Sequence, residues 1–217
     1  MQANRLPVLI LVLSILYIFI IPQDPLAFKL FFKLIPMALI IIYAFYQTPK
    51  QKTIVHWLIL IGLFFCSIGD GTIQWFVVGL SAFLIGHLFY LTGFVSQWKF
   101  SKYRVASIIP IGIYAWIMGN ELVQAISNSE DTYLVIPVII YIAAIASMAW
   151  FAIMTGNIFA SIGSILFVIS DSILAWNMFV SPVNYEHVFV MVTYYAAQFF
   201  IAHSLKSLGR KHTQLVW

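Results

Sequence analysis

Long apolar stretches dominate the chain, and short polar or turn-forming segments separate them. Most stretches approach the roughly 20 residues that a helix needs to cross a bilayer, and apolar and polar residues do not alternate within them. Because lipid leaves helices and closed barrels as the only spanning structures, continuous stretches of this kind predict helices. We predict a single polytopic membrane domain over residues 1–217, with spans at about 6–21, 27–46, 54–72, 75–96, 103–119, 133–154, 157–180 and 186–206.

Turn-forming and polar residues mark the breaks between these eight spans. The predicted breaks are Pro22-Gln23-Asp24-Pro25, Thr48-Pro49-Lys50-Gln51-Lys52, Gln97-Trp98-Lys99, Asn120-Glu121, Thr155-Gly156-Asn157 and Ser181-Pro182. The first stretch ends without the small-residue cleavage pattern of a signal peptide, so we interpret it as the first span. We expect no appended soluble domain, because the longest connection is too short to hold a core.

Composition favours a membrane protein and excludes a soluble one. Of the 217 residues, 63% are apolar and 8% are charged, whereas soluble domains carry about 45–50% apolar and about 25% charged residues. The mean hydropathy is +0.99. The seven acidic and eleven basic residues are too few to cover a soluble surface. The sequence therefore predicts an all-α integral membrane protein, a bundle of about eight transmembrane helices.

The charges of alternate loops separate by sign once the N-terminus is placed in the cytoplasm. The basic residues on that side are Arg5, Lys50, Lys52, Lys99, Lys102, Arg104, Lys206, Arg210 and Lys211. The acidic residues on the opposite side are Asp24, Glu121, Glu130, Asp131 and Glu186. Because Lys and Arg are enriched in cytoplasmic loops, we expect both termini to be cytoplasmic and the protein to lie in a bacterial inner membrane.

Several classes of partner are not expected. The net charge of +4 comes from loops beside the spans and not from a basic run that would follow nucleic-acid phosphates. Cys66 is the single cysteine, which excludes an intrachain disulfide and a cysteine-rich metal site. The chain also lacks metal-binding histidine pairs and a glycine-rich phosphate loop. We expect no metal and no cofactor, and no protein partner is evident.

Four ionisable side chains lie in the interior of the predicted spans, away from their ends: Lys33, Asp70, His87 and Asp171. A Lys or Asp near a helix centre costs roughly 2.5–3.5 kcal/mol to insert into a membrane. Counted from the outer ends of the spans, Lys33, Asp171 and His87 lie at depths of roughly 10, 15 and 18 Å. Asp70 lies about one turn below the outer end of span three. Such groups would have to share one polar cavity in the outer half of the bundle.

Neutral hydrogen-bonding groups of the last span lie at a similar depth, namely Tyr194, Tyr195 and Gln198. Structural explanations stay open for three of the four ionisable residues. Asp70, between two glycines, suits a helix cap or kink. Lys33 can extend its long side chain to the interface, and His87 suits a core histidine bonded to a carbonyl oxygen. Asp171 lies in a continuous apolar stretch and favours a functional role.

Two carboxylates in one apolar cavity tend to differ in proton affinity, so that one is protonated and the other ionised. Such a pair suits acid-catalysed cleavage through an oxocarbenium-like intermediate. An ion-coupled membrane transporter would use the same groups as a proton relay. The residues alone therefore leave two functions open, an enzyme and a transporter.

The sequence also contains a weak internal repeat, in which residues 68–75 and 169–176 share the pattern Ile-x-Asp-x4-Trp.

Four segments resemble the motifs of the YhhN-like lysoplasmalogenases, in the order of that family. The strongest two are residues 67–90, with Ser67-Ile-Gly-Asp70 and Gly86-His87-Leu-Phe-Tyr90, and residues 163–172, with Ser170-Asp171-Ser172. The lesser two are Lys33-Leu-Ile-Pro36 and Tyr194-Tyr195-Ala-Ala-Gln198. The resemblance covers about residues 28–205, which is nearly the whole chain.

The resemblance implies an eight-span membrane hydrolase that cleaves the vinyl ether bond of lysoplasmalogens. Its products are a fatty aldehyde and glycerophosphoethanolamine or glycerophosphocholine. We expect Asp70 and Asp171 to be catalytic, one as general acid and one as base or cation stabiliser. The expected substrate-binding residues are Lys33, His87, Tyr90, Ser170, Tyr194, Tyr195 and Gln198. The expected partners are a lysophospholipid substrate and membrane lipids, and the alternatives are a transporter or an enzyme acting on another lipid.

Overall fold

The apolar stretches form helices throughout the computed structural model, which describes residues 5–22 and 24–209. Within these ranges there is no β-strand. The helices are α1 (Leu6–Phe19), α2 (Leu26–Gln47), α3 (Ile54–Thr72), α4 (Phe76–Val95), α5 (Lys102–Ala106), α6 (Ile108–Ser127), α7 (Val135–Met154), α8 (Ile158–Phe179) and α9 (Glu186–Ser204). A 3-10 turn, Thr132–Leu134, precedes α7. The prediction of an all-helical membrane protein is confirmed.

Six helical segments of the described residues are long and apolar enough to cross a membrane. They are α2, α3, α4, the segment 102–127 that joins α5 to α6, the segment 132–154 that ends with α7, and α8. Helix α1 is apolar but has 14 residues. Helix α9 is less apolar because it lies inside the bundle, where it packs against α1, α2, α3 and α8. Side chains that face other helices need not be apolar.

The fifth span differs from its prediction. A short helix, α5, comes first, and α6 then continues through Asn120 and Glu121 to Ser127. The predicted end at residue 119 is therefore wrong as a helix boundary. Met118, Leu122 and Ile126 follow one another at four-residue intervals and pack into a small apolar cluster with α7 and α8. The packing of this buried face thus continues the helix past residue 119, while Asn120 and Glu121 lie on its exposed face.

Two antiparallel hairpins, α3–α4 and α8–α9, have the most extensive helix contacts in the bundle. Glycines allow the close approach in both. A Cβ atom at Gly62 would overlap the Tyr90 ring and lie 3.1 Å from the Gly86 carbonyl oxygen. A Cβ at Gly163 would lie 2.8 Å from the Ala197 carbonyl oxygen. Helix α7 packs against α4, and α6 packs against α7 and α8, which completes the bundle.

The basic loops meet at one end of the bundle. The Gly209 amide donates to Gln97, the Lys99 amide donates to the Met154 carbonyl, and Asn157 donates to Ser207. These contacts join the connections that follow α4, α7 and α9. Gln23, Arg210, Lys211 and His212 lie outside the described residues.

Candidate active site

A cavity of about 320 Å³ lies between the helices, in the half of the bundle away from the basic loops. It extends to the end where α2 and α9 begin and α3 and α8 terminate, since Leu26, Gln74, Phe179 and Glu186 line it. One side, from α2, α3 and α9, carries charged and polar groups. The other side, from α4, α6, α7 and α8, is mostly apolar, with Asp171 at the boundary between the two.

Asp70 lies in the last turn of α3 and is 1% exposed. Its carboxylate is 3.1 Å from Lys33 Nζ of α2 and accepts a 2.6 Å hydrogen bond from the Tyr194 hydroxyl of α9. A Cβ at the preceding Gly69 would lie 2.7 Å from the Phe83 ring, so the backbone here approaches α4 closely. Asp70 is therefore a carboxylate held by one cation and one neutral donor, not a helix cap.

Asp171 has a different environment, in the middle of α8. The Tyr141 hydroxyl of α7 donates a 2.5 Å hydrogen bond to its Oδ2, and His87 Nε2 of α4 lies 4.0 Å from the same oxygen. No Lys or Arg of the described ranges lies within 4.0 Å of it. The side chain of Asp171 is 16% exposed, against 2% for Asp70, and it faces the cavity. Asp171 is thus the more accessible and less charge-compensated carboxyl group.

The predicted substrate-binding residues divide into two groups. Lys33, Ser170 and Tyr194 line the cavity together with Asp70 and Asp171. The remaining four are buried behind its wall and do not line it: His87, Tyr90, Tyr195 and Gln198.

The buried group supports the residues that face the cavity. Tyr195 donates a 2.8 Å hydrogen bond to the Lys33 carbonyl oxygen, and Tyr90 donates a 2.7 Å hydrogen bond to Gln198. His87 packs edge-on against Tyr141 and Phe167, with ring centroids 5.2 and 4.5 Å away. These residues hold α2, α4, α7 and α9 in register around the two carboxylates.

Tyr141 is the main residue of the candidate site that sequence reasoning missed. A tyrosine in an apolar span gives no strong signal, because aromatic residues are common there. A depth comparison would have found it, since Tyr141 is six residues from the start of α7 and Asp171 is eight residues from the end of α8. These positions correspond to about 9 and 12 Å from the same end of the bundle. Lys29, Glu186 and His187 also line the cavity.

No group of three or more metal-ligating side chains is found among residues 5–22 and 24–209. The polar groups of the cavity contact one another through an ion pair and through tyrosine hydroxyl groups. The arrangement thus brings into one cavity a carboxylate paired with a lysine and a carboxyl group that has no Lys or Arg within 4.0 Å among the described residues.

Comparison with known proteins shows which family this chain belongs to. The model of the YhhN family matches residues 28–205, which include every residue of the two carboxylate environments. The chain belongs to the YhhN family. Human lysoplasmalogenase TMEM86B is 31% identical over 189 residues, which cover 85% of this chain and 78% of that protein.

Two further relatives carry similar names. Mouse lysoplasmalogenase TMEM86B is 29% identical over 208 residues, covering 93% of this YhhN-family chain and 87% of the relative. Bovine lysoplasmalogenase TMEM86A is 33% identical over 163 residues, covering 67% and 64%. No solved structure matches the chain. The resemblance to the YhhN family predicted from the four motifs is confirmed.

Proposed function

We propose that this chain is a membrane lysoplasmalogenase, which hydrolyses the vinyl ether bond of lysoplasmenylethanolamine or lysoplasmenylcholine. The products are a fatty aldehyde and glycerophosphoethanolamine or glycerophosphocholine. The observation that carries the proposal is the pair of carboxylates in one cavity, one matched by a lysine and one bonded by a tyrosine. The names of the relatives supply the substrate class.

The cavity suits an amphipathic single-chain lipid. The head group fits the charged side near the start of α2 and α9, and the alkenyl chain fits the apolar side. Phe83, Met118, Leu122, Ile142 and Ile145 form much of that apolar side. A vinyl ether between the two parts of such a lipid would then lie beside Asp70 and Asp171.

Vinyl ether hydrolysis begins with protonation of the carbon atom of the double bond that is not attached to oxygen. We assign this proton to Asp171, because no Lys or Arg of the described residues lies within 4.0 Å to hold it as an anion. The product of this step is an oxocarbenium ion. Asp70, paired with Lys33, remains ionised and stabilises the cation electrostatically. Water adds to the cation, a proton returns to the Asp171 carboxylate, and the resulting hemiacetal breaks down to aldehyde and alcohol.

His87 is proposed as a positioning residue. Neither of its ring nitrogens has a hydrogen-bond partner among the described residues, and Nε2 lies 4.0 Å from Asp171. A small shift of either side chain completes a hydrogen bond that orients the carboxyl group of Asp171. Tyr194 does the same for Asp70 on the other side of the cavity.

The deciding experiment is aldehyde release from a lysoplasmalogen by purified protein in detergent, with Asp70→Asn and Asp171→Asn beside the parent. Asp131→Asn is the matched control, because Asp131 is exposed in a loop. We expect aldehyde from the parent and the control and none from the two site variants, provided that all remain folded by size-exclusion chromatography.

Other outcomes would point elsewhere. Release that survives Asp171→Asn removes the proposed proton donor from the mechanism. A folded parent that releases no aldehyde contradicts the proposed activity, and proton-gradient-dependent uptake into sealed vesicles would then support the transporter alternative.

We also propose a bacterial inner-membrane location with the basic loops in the cytoplasm, which would place the cavity in the outer leaflet.

A further inference from the structure

The entrance of the cavity carries one positive and one negative side chain that are not paired with each other. Lys29 lies in the first turn of α2 and Glu186 is the first residue of α9, and both are half-buried lining residues. The ion pairs within 4.0 Å among residues 5–22 and 24–209 do not include either of them. Partly desolvated charges without an ion pair within 4.0 Å are incompletely compensated, so a ligand that supplies both opposite charges would be favoured.

A third group at the entrance also lacks a partner. His187 follows Glu186 on α9 and packs edge-on against Tyr17 of α1, with ring centroids 5.4 Å apart. Its Nε2 atom is buried and makes no hydrogen bond within the described part of the chain. Buried polar atoms are nearly always satisfied by protein, water or ligand. Because His187 lines the cavity beside Lys29 and Glu186, its free nitrogen adds a hydrogen-bonding group to the same entrance.

The depth of these groups relative to the carboxylates matches a glycerophospholipid. Lys29 precedes Lys33 by one helical turn, or about 6 Å, and Glu186 precedes Tyr194 by eight residues, or about 12 Å. Lys33 and Tyr194 are the two residues that hold Asp70. The entrance groups therefore lie one to two turns above the reacting position, where the phosphate and amine of a bound lysolipid would be placed.

We propose that Lys29 and His187 bind the phosphate and Glu186 binds the ammonium of a zwitterionic lysophospholipid head group. The entrance then selects lipids whose head group carries a positive charge beside the phosphate, as ethanolamine and choline do. This inference rests on the proposed function for the reacting position, but the head-group site stands on its own residues. A lysine is a suitable point charge for a phosphate, and a carboxylate accepts hydrogen bonds from an ammonium group.

The test compares two substrates with the same alkenyl chain, one with phosphoethanolamine and one with phosphoglycerol, which lacks the amine. We expect Glu186→Gln to raise the KM for the ethanolamine substrate about tenfold with kcat unchanged, as for one lost hydrogen bond to a charged group. The KM for the phosphoglycerol substrate, which has no ammonium group to bind Glu186, should not rise. Lys29→Gln should raise the KM for both substrates. Glu186→Asp should retain the preference for the amine, and Glu130→Gln, in an exposed loop, is the matched control.

An equal KM increase for both substrates in Glu186→Gln would overturn the proposal, as would a parent that shows no preference for the amine. Binding of a non-hydrolysable 1-alkyl glycerophosphoethanolamine by parent and Glu186→Gln separates this inference from the proposed function. If the parent binds the analogue tenfold more tightly than the variant but releases no aldehyde, the head-group site stands and the hydrolase does not. If aldehyde is released but analogue binding is equal in both proteins, the hydrolase stands and the head-group site does not.

Discussion

Lys33 distinguishes the two carboxylates of the cavity at the level of single residues. Both aspartates accept a hydrogen bond from a tyrosine, yet only Asp70 has a lysine within ion-pair distance among the described residues. An ion pair in a low-dielectric site keeps both partners charged, because separating them leaves an uncompensated buried charge. A neutral phenol provides no such compensation for Asp171. The roles that we propose for the two aspartates, Asp70 as anion and Asp171 as proton donor, thus rest on one side chain of α2.

Tyr141 provides the most direct test of the environment of Asp171. Tyr141→Phe removes the hydrogen bond to Asp171 Oδ2 and leaves the ring, which packs against His87, in place. We expect kcat for aldehyde release to fall about two- to tenfold with little change in KM, since one hydrogen bond between a phenol and a neutral carboxyl group is worth about 0.5–1.5 kcal/mol. Steady-state kinetics in detergent check this.

The control for that measurement is Tyr103→Phe, because Tyr103 is 92% exposed and does not line the cavity. Unchanged kcat in Tyr141→Phe would show that this hydroxyl does not orient the proton donor. A large increase in KM with constant kcat would place Tyr141 in substrate binding instead.

At the scale of helices, each hairpin places a polar side chain beside the aspartate of the other hairpin. Helix α9 of the second hairpin supplies Tyr194 to Asp70 on α3, and α4 of the first hairpin brings His87 towards Asp171 on α8. Each carboxylate also stands eight residues after a glycine of close helix contact, Gly62 before Asp70 and Gly163 before Asp171. The geometry of the site therefore depends on how tightly each hairpin packs.

Gly163→Ala should show how tightly the second hairpin must pack. The added methyl group would lie 2.8 Å from the backbone oxygen of Ala197, which cannot move without shifting α9. Overpacking of this kind costs about 1–3 kcal/mol, so we expect a clear fall in thermal stability in detergent and reduced aldehyde release.

Gly112→Ala is the matched control, since a Cβ at Gly112 of α6 meets nothing within 4 Å. There the higher helix propensity of alanine should leave stability unchanged or raise it by up to about 1 kcal/mol. Equal effects of the two substitutions would contradict a special role for the α8–α9 contact.

The helices could be predicted from the sequence because lipid enforces long apolar runs, and α3 matches its predicted bounds of 54–72. The end of the fifth span could not, because Asn120 and Glu121 resemble a break while packing of Leu122 and Ile126 continues the helix. The two aspartates were found by their cost in a membrane. The pairing of Lys33 with Asp70 and the contribution of Tyr141 depend on which helices are neighbours, which a single sequence does not encode locally.

For the whole molecule, one end of the bundle is basic and the cavity opens at the other. Loops after α4, α7 and α9 meet at the basic end, whereas Lys29 and Glu186 stand at the cavity entrance. If positive residues face the cytoplasm, the entrance faces the opposite side, and the substrate would enter from the outer leaflet. The proposed side of lipid entry thus rests on the charge of loops that do not line the cavity.

Cysteine labelling tests this orientation. Cys66 is buried, so the native thiol gives little background to a membrane-impermeant maleimide. We expect Asn128→Cys, exposed in the connection after α6, to be labelled in intact spheroplasts of a bacterial host. Gln51→Cys, exposed between α2 and α3, should be labelled only after permeabilisation. The reverse pattern would place the entrance on the cytoplasmic side, and the enzyme would then act on lysolipids of the inner leaflet although its site residues are unchanged.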